Sequence, residues 1–397
     1  MAWKAGTPMS AVADSIDRCR RLQAAMSAAG VDAVLLSRWT HGFAVSGARR
    51  VQVGGSGGGV PWVVVTCGAP APHVFTPDPD GVPDWIPAQH RHPLCWNPEA
   101  LVGAVAEICA ASGPGAGRPL RLAYDVLSVG MLERLARQLP VARFEDVQPL
   151  LADVRRGKSD AERVALRDAH DKAARAAAAA GAALRPGCGA ADVHAAAYAQ
   201  MALDGIGFPL AEVELWALGS ATPTTAPRPA EPFTIGARLA VDVVVSDGGV
   251  CGRAHRTFVC GRSPTAEEEE LGRAWRASVG AIARALRPGC TAERLREVVW
   301  GVAPAGGDAA VVELLVHGLG IGIEPPFLRL ARPGGRQAEA ETSGGTGAPG
   351  PDEGSALFVV PKVAIGAAGE MSASETLVIT RDGGHPLGSS WRPWSAS

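Results

Sequence analysis

Leu239–Gly261, LAVDVVVSDGGVCGRAHRTFVCG, reads as two strands around a tight turn. The β-branched run through Val241, Val243, Val244 and Val245 has the texture of a buried strand, and Asp242 is its one charged residue before the turn. Asp247-Gly248-Gly249 supplies the turn, and a second strand carries Arg253, His255 and the pair Arg256–Thr257. Side chains alternate along a strand, so Arg253 and His255 share a face. If Asp242 and Arg253 meet, a buried ion pair of modest net value is the simplest reading of both.

The 397 residues suffice for two domains. A formal net charge of −2, with 47% hydrophobic and 20% charged residues, fits a globular protein and argues against a nucleic-acid or membrane-surface partner, which would call for a basic face. No apolar run approaches the roughly 20 residues of a membrane span, and the first twenty residues lack a secretion-type apolar core. Eight scattered cysteines without a Cys-x-x-Cys pair fit reduced thiols and a cytoplasmic location.

The N-terminal part alternates helical and strand patterns. A helix runs through Ile16, Leu22 and Met26 to Gly30. Strands follow at GVDAVLLS, Val60–Thr66 and Leu120–Asp125, with helices near Pro98–Ala111 and Val129–Gln138. This predicts an α/β layer. The glycine run Gly54–Gly59 lacks the residues of a phosphate loop. The texture changes near Asp153, and an Ala-rich helical stretch occupies Arg156–Leu184. Ala183–Tyr198, ALRPGCGAADVHAAAY, then matches Ala285–Trp300, ALRPGCTAERLREVVW. In each copy a helix ends, Pro-Gly turns the chain and a new helix starts, which implies two similar α+β halves. Residues 329–354 read as a surface loop, and Trp391 and Trp394 as covers for an interface.

The hairpin, the His-Gly-x-Gly motif at His317 and the segment RRGKSDAERVALRDAHDKA together resemble the pita-bread family of creatinase, prolidase and the methionine and Xaa-Pro aminopeptidases, over nearly the whole chain. The resemblance implies an α+β fold. A pita-bread C-terminal domain over residues 153–397 follows a smaller α/β creatinase-like N-terminal domain over residues 1–152. It also implies five metal-ligand positions in the metal-using members. They fall here on Asp242, Arg253, His317, Val360 and Ser374. Only Asp242 and His317 are ligand types, and a guanidinium repels a cation. No metal or other cofactor is therefore expected. Where relatives carry a second His, Glu324 and Pro325–Pro326 arrive instead, and the substrate-handling His falls near Thr225.

Creatinase works without metal, so the resemblance implies a metal-independent enzyme acting on a C–N bond of a small amino acid, amide or amidine. The catalytic candidates are His317 and His255 for proton transfer, with Asp242 or Glu324 orienting them. Arg253, Glu375, Ser374 and Arg50 are the candidates for binding substrate. The partners expected are a small molecule or short peptide and a second copy of the chain in a homodimer. Two alternatives stay open: a catalytically inactive relative that binds a peptide or protein, and a metal-dependent Xaa-Pro aminopeptidase or dipeptidase.

Overall fold

The computed structural model describes residues 9–49, 60–94, 97–113, 118–206, 211–218, 231–301, 310–331, 350–365, 369–388 and 393–394. The chain divides into two compact units, Met1–Arg155 and Arg156–Ser397.

The first unit is a six-stranded mixed sheet with helices. Its strands are β1 (Ala33–Leu36), β2 (Trp62–Thr66), β3 (His73–Thr76), β4 (Arg91–Pro93), β5 (Arg121–Tyr124) and β6 (Arg143–Asp146), in the order β4-β3-β2-β1-β5-β6. Its helices are α1 (Met9–Ala29), α2 (Trp39–Ser46), α3 (Pro98–Ala111), α4 (Val129–Gln138) and α5 (Gln148–Arg156). β1–β5 and β5–β6 are parallel, as alternating strands and helices predict, whereas β1–β2 and β2–β3 are antiparallel. The core lies between the sheet and α3, where Leu35, Val64, Phe75, Val105 and Leu122 are buried.

The second unit begins with α6 (Asp160–Ala183) and α7 (Ala190–Leu203), then β7 (Ala211–Leu218), β8 (Arg238–Asp247) and β9 (Val250–Val259) in one antiparallel sheet. It continues with α8 (Ala266–Ala285), α9 (Ala292–Gly301), β10 (Ala310–Gly320), β11 (Gly322–Ala331), β12 (Ala356–Ile365), β13 (Gly369–Ser372), β14 (Glu375–Thr380) and β15 (Gly383–Pro386). The second sheet has the order β11-β10-β12-β14-β15, with β13 paired to β12. α6 and α8 both start at capping boxes, Ser159 with Glu162 and Thr265 with Glu268, which satisfy otherwise orphaned N–H groups.

The two LRPGC copies occupy equivalent places. Leu184 and Leu286 end their helices at φ −73° each, with ψ 96° and 83°. Gly187 and Gly289 follow at φ +86° and +77°, a left-handed turn that glycine adopts without steric cost. Each donates its N–H over 2.9 Å to the backbone of a later segment, to Phe233 and Pro351 respectively. α6 and α7 pack on the first sheet in a core that also takes in Leu319, Ala356 and Phe358 of the second, and α8 and α9 pack on the second sheet in another.

Close packing of α6 on β9 sets the first half. A Cβ on Gly252 would lie 2.1 Å from the Ala169 carbonyl oxygen, and one on Gly181 would lie 2.4 Å from the Phe258 ring. His170 on α6 fastens the contact through Nδ1, 3.0 Å from the Arg253 carbonyl oxygen and 3.3 Å from Thr376 Oγ1. The tail residue Trp394, expected to cover an interface, is instead buried in this unit's own second core and donates Nε1–H to the Glu268 carbonyl over 2.7 Å. Of the stretch expected as a loop, Arg329–Ala331 belong to β11, and residues 332–349 lie outside the described residues, as do Trp391 and Gly54–Gly59.

Gly252→Ala should lower unfolding stability by about 1–3 kcal/mol, since helix backbone must move, whereas Gly280→Ala on α8 should be neutral or stabilising. Denaturant midpoints of the two variants check this. Burial pushes the His170 imidazole down to about 4, with nearby Arg256 adding to the shift. An unfolded imidazole titrates near 6.5, so below that pH the unfolded state takes up the proton first. Stability should therefore fall as pH drops from about 6.5 to 4, by up to about 1.4 kcal/mol per pH unit for this group, and His170→Asn should flatten that limb in melting curves.

Candidate functional site

The strand register places the site's centre. Asp242 on β8 is paired directly with His255 on β9, and Arg253 lies two residues away on the same strand face. β8 is the central strand of its sheet and is buried along most of its length, so the Asp242 carboxylate is carried into the interior. Arg253 meets it with both arms: Nε donates to Oδ1 over 2.9 Å and Nη2 to Oδ2 over 2.8 Å. This fork geometry is the strongest form of the carboxylate–guanidinium contact. Nη1 donates over 2.9 Å to His317 Nε2 on β10. Phe358 on β12 forms a floor beneath both groups, 4.9 Å from the guanidinium carbon and stacked 5.0 Å from the His317 ring.

Hydrogen bonding fixes the histidine tautomers. His317 Nδ1 lies 3.0 Å from the Gly318 carbonyl, which only accepts, so Nδ1 carries the proton and the Nε2 lone pair is used by Arg253. Burial and the Arg253 charge drive the imidazole down to about 4, against the favourable Gly318 bond. His317, expected as a proton carrier, is thus a neutral group with both ring nitrogens engaged. His255 differs. Its Nδ1 is 3.1 Å from Asp242 Oδ2, and its Nε2 is 2.8 Å from the Ser372 hydroxyl. Burial raises the Asp242 carboxyl, but the bonds from His255 and Arg253 outweigh it and hold the group well below the usual carboxylate range.

The other expected site residues have separate places. Glu324 accepts from Lys158 Nζ over 2.5 Å and from the Ile321 N–H over 3.0 Å, and both partners of the ion pair are buried. Its carboxylate closes the β10–β11 turn and is not free to orient a base. The β10 register breaks after His317, leaving Pro325 and Pro326 between the paired residues Glu324 and Phe327. Ser374, expected to bind substrate, is fully buried. Its hydroxyl accepts from the His255 N–H over 2.9 Å and Arg256 Nη1 over 3.1 Å, and its own N–H donates to the His255 carbonyl over 2.9 Å. It joins β9 to the second sheet. Glu375 is buried beside Arg256. Burial pushes its carboxyl up to about 7 against the pull of that cation, and Oε1 makes no hydrogen bond among the described residues. Arg50 and Thr225 lie outside the described residues.

The donor set does not fit a divalent metal. The two side chains of ligand type are bound to a guanidinium, Val360 and Ser374 offer no carboxylate, and among the described residues no three His, Cys, Asp or Glu side chains converge as a metal site. Sequence reasoning missed Lys158, Ser372 and Phe358. Lys158 precedes a helix cap in a polar stretch, and Ser372 is one serine among several, so neither carries a local signal.

The sequence matches the family model for metallopeptidase family M24 over residues 164–380 and that for the creatinase/prolidase N-terminal domain over residues 18–156. A search of curated proteins finds no match. Among solved structures, a prolidase from Pyrococcus horikoshii OT3 superposes at TM-score 0.68 with 19% identity, covering 94% of this chain and 99% of that one. A Xaa-Pro dipeptidase from Bacillus anthracis gives 0.70 with 17% identity, covering 96% and 99%. An X-Pro aminopeptidase from Thermotoga maritima MSB8 gives 0.67 with 16% identity, covering 96% and 99%. At such identities the superpositions speak for the fold: a creatinase-type N-terminal domain followed by a pita-bread domain. Among the described residues no helix is long and apolar enough to cross a membrane. With the M24 match spanning more than half of its length on that fold, the chain belongs to metallopeptidase family M24.

Proposed function

We propose that this chain is a metal-independent, creatinase-like enzyme that breaks a C–N bond in a small amino acid, amide or amidine, with His255 moving the proton. The observation that carries the reading is the 3.1 Å contact of His255 Nδ1 with the Asp242 carboxylate, which Arg253 meets with both arms. An ionised Asp242 only accepts, so it fixes the His255 proton on Nδ1 and leaves Nε2 as the working base. Arg253 spends three of its five N–H donors on Asp242 and His317. The remaining two, with the positive charge, suit an anionic group of the substrate or charge developing on a carbonyl oxygen. In this reading His317 is a positioning residue that holds Arg253, and Asp242 positions His255. The homodimer implied by the sequence resemblance, and the cytoplasmic location that the scattered cysteines fit, go with this proposal.

A catalytically inactive relative that binds a peptide or protein is the second reading. Its support is that Glu324, His317 and Ser374 are each consumed by contacts within the chain.

Turnover should be assayed on amino-acid amides, guanidino acids and Xaa-Pro dipeptides, with and without chelator and with added manganese. The proposal expects turnover that a chelator leaves unchanged and that falls about 10²–10⁴-fold in His255→Ala. Turnover only with manganese would install the metal-dependent peptidase, and none on any substrate would leave the binding reading ahead. A second measurement concerns the ion pair alone. Arg253→Ala strands a buried carboxylate and should cost about 3–5 kcal/mol in denaturant unfolding, while Asp242→Asn combined with Arg253→Met should recover much of that loss.

A further inference from the structure

Ser372 completes an arrangement that the proposed proton transfer does not itself require. It ends β13, partly exposed, with Oγ 2.8 Å from His255 Nε2, and His255 Nδ1 is 3.1 Å from Asp242 Oδ2. Both spacings lie within the reach expected of a nucleophile, its base and the group that orients the base. With the His255 proton on Nδ1, Nε2 is an acceptor, so the Ser372 O–H donates to it. The direction of that bond is the one an activated hydroxyl needs. Two neighbouring hydroxyls are excluded from the role: Ser374 is fully buried and accepts from β9, and Thr257 Oγ1 is spent on the Ser372 main chain, donating to its carbonyl over 2.5 Å and accepting from its N–H over 3.4 Å. These two bonds pin the backbone that carries Ser372 Oγ.

We propose that Ser372, His255 and Asp242 form a serine hydrolase triad on this fold, acting through an acyl-enzyme on small amides. The inference rests on the hydrolytic reading above and names its nucleophile. Ser372 Oγ attacks the amide carbonyl carbon, and its proton passes to His255 Nε2. The tetrahedral species collapses with cleavage of the C–N bond, and His255 returns the proton to the departing nitrogen, releasing an amine. Water then attacks the Ser372 ester, giving one proton to Nε2. The C–Oγ bond breaks, and that proton restores the Ser372 hydroxyl. The sum is amide plus water to carboxylic acid plus amine. Asp242 is the positioning residue, and Ser372 and His255 are the catalytic ones.

The test is covalent labelling of the full chain with a fluorophosphonate, from which an activated serine displaces fluoride. Peptide mass mapping should find one phosphonyl group per chain, on Ser372. Labelling should vanish in Ser372→Ala and slow about 10²–10⁴-fold in His255→Ala. Ser372→Ala keeps both main-chain bonds to Thr257, and circular dichroism verifies its fold. A label mapped to another residue of the wild-type protein would overturn the triad whatever the variants do. If Ser372→Ala hydrolyses the amides at the wild-type rate, water is the nucleophile, so this inference falls and the hydrolytic reading stands. If the wild-type protein neither takes the label nor turns over any of the assayed amides, guanidino acids and dipeptides, both fall.

Discussion

The bidentate bond between Arg253 and Asp242 is the constraint around which the second unit's interior is arranged. A carboxylate on the central strand of a buried sheet is tolerable only if its charge is answered and its lone pairs are filled. Arg253 does both, at 2.9 and 2.8 Å, from the neighbouring strand. Its remaining reach extends to His317 on the second sheet and to the face of Phe358, so one guanidinium ties β8, β9, β10 and β12 together. Burial, with this charge adding to it, keeps His317 neutral, and the bonds from His255 and Arg253 together hold Asp242 ionised against its own burial. Those two protonation states leave His255 as the histidine with a working lone pair.

Charge balance then accounts for the uncharged residues that stand where the sequence resemblance implies metal-ligand carboxylates. Several carboxylates around a cation form a neutral whole, but the same carboxylates around a guanidinium would leave surplus negative charge in a buried place. Valine at position 360 and serine at position 374 carry no charge, and Ser374 is re-used to join β9 to β14 through the His255 main chain. Glu324 follows the same logic at the neighbouring turn, where the buried Lys158 ammonium answers it. Asp242 is thus paired with Arg253 and Glu324 with Lys158. Burial pushes Glu375, whose Oε1 makes no hydrogen bond among the described residues, toward the protonated form despite the nearby Arg256.

The scaffold holding these groups is stiff for reasons that are partly steric. Glycine at 252 and 181 lets α6 approach β9 closely, and His170 bonds the helix to the carbonyl of Arg253 itself. The position of the guanidinium is therefore set from two sides: by side-chain contacts within the cluster, and by the helix behind its own peptide group. Preorganisation of this kind gives a fixed dipole its value next to a reacting bond.

The sequence alone determined the features that depend on local order. The β-branched run, the Asp-Gly-Gly turn and the eleven-residue spacing dictated a hairpin with Asp242 and Arg253 on facing strands. The LRPGC repeat dictated two equivalent helix–turn–helix halves, because Pro-Gly after a helix has few conformations open to it. The alternation that puts Arg253 and His255 on one strand face is equally local. What only the tertiary structure decided was which nitrogen, oxygen or hydroxyl is left over. His317 and His255 are both histidines near Asp242, and the sequence treats them alike. A single lone pair taken by Arg253 separates them, and that contact joins residues 64 apart. Glu324 looked like a spare acid until Lys158, 166 residues away, claimed it, and Ser372 became distinct from other serines only where β13 brings it to His255. Hydrogen-bond capacity is assigned by whichever groups arrive in space, and separation along the chain carries no record of that.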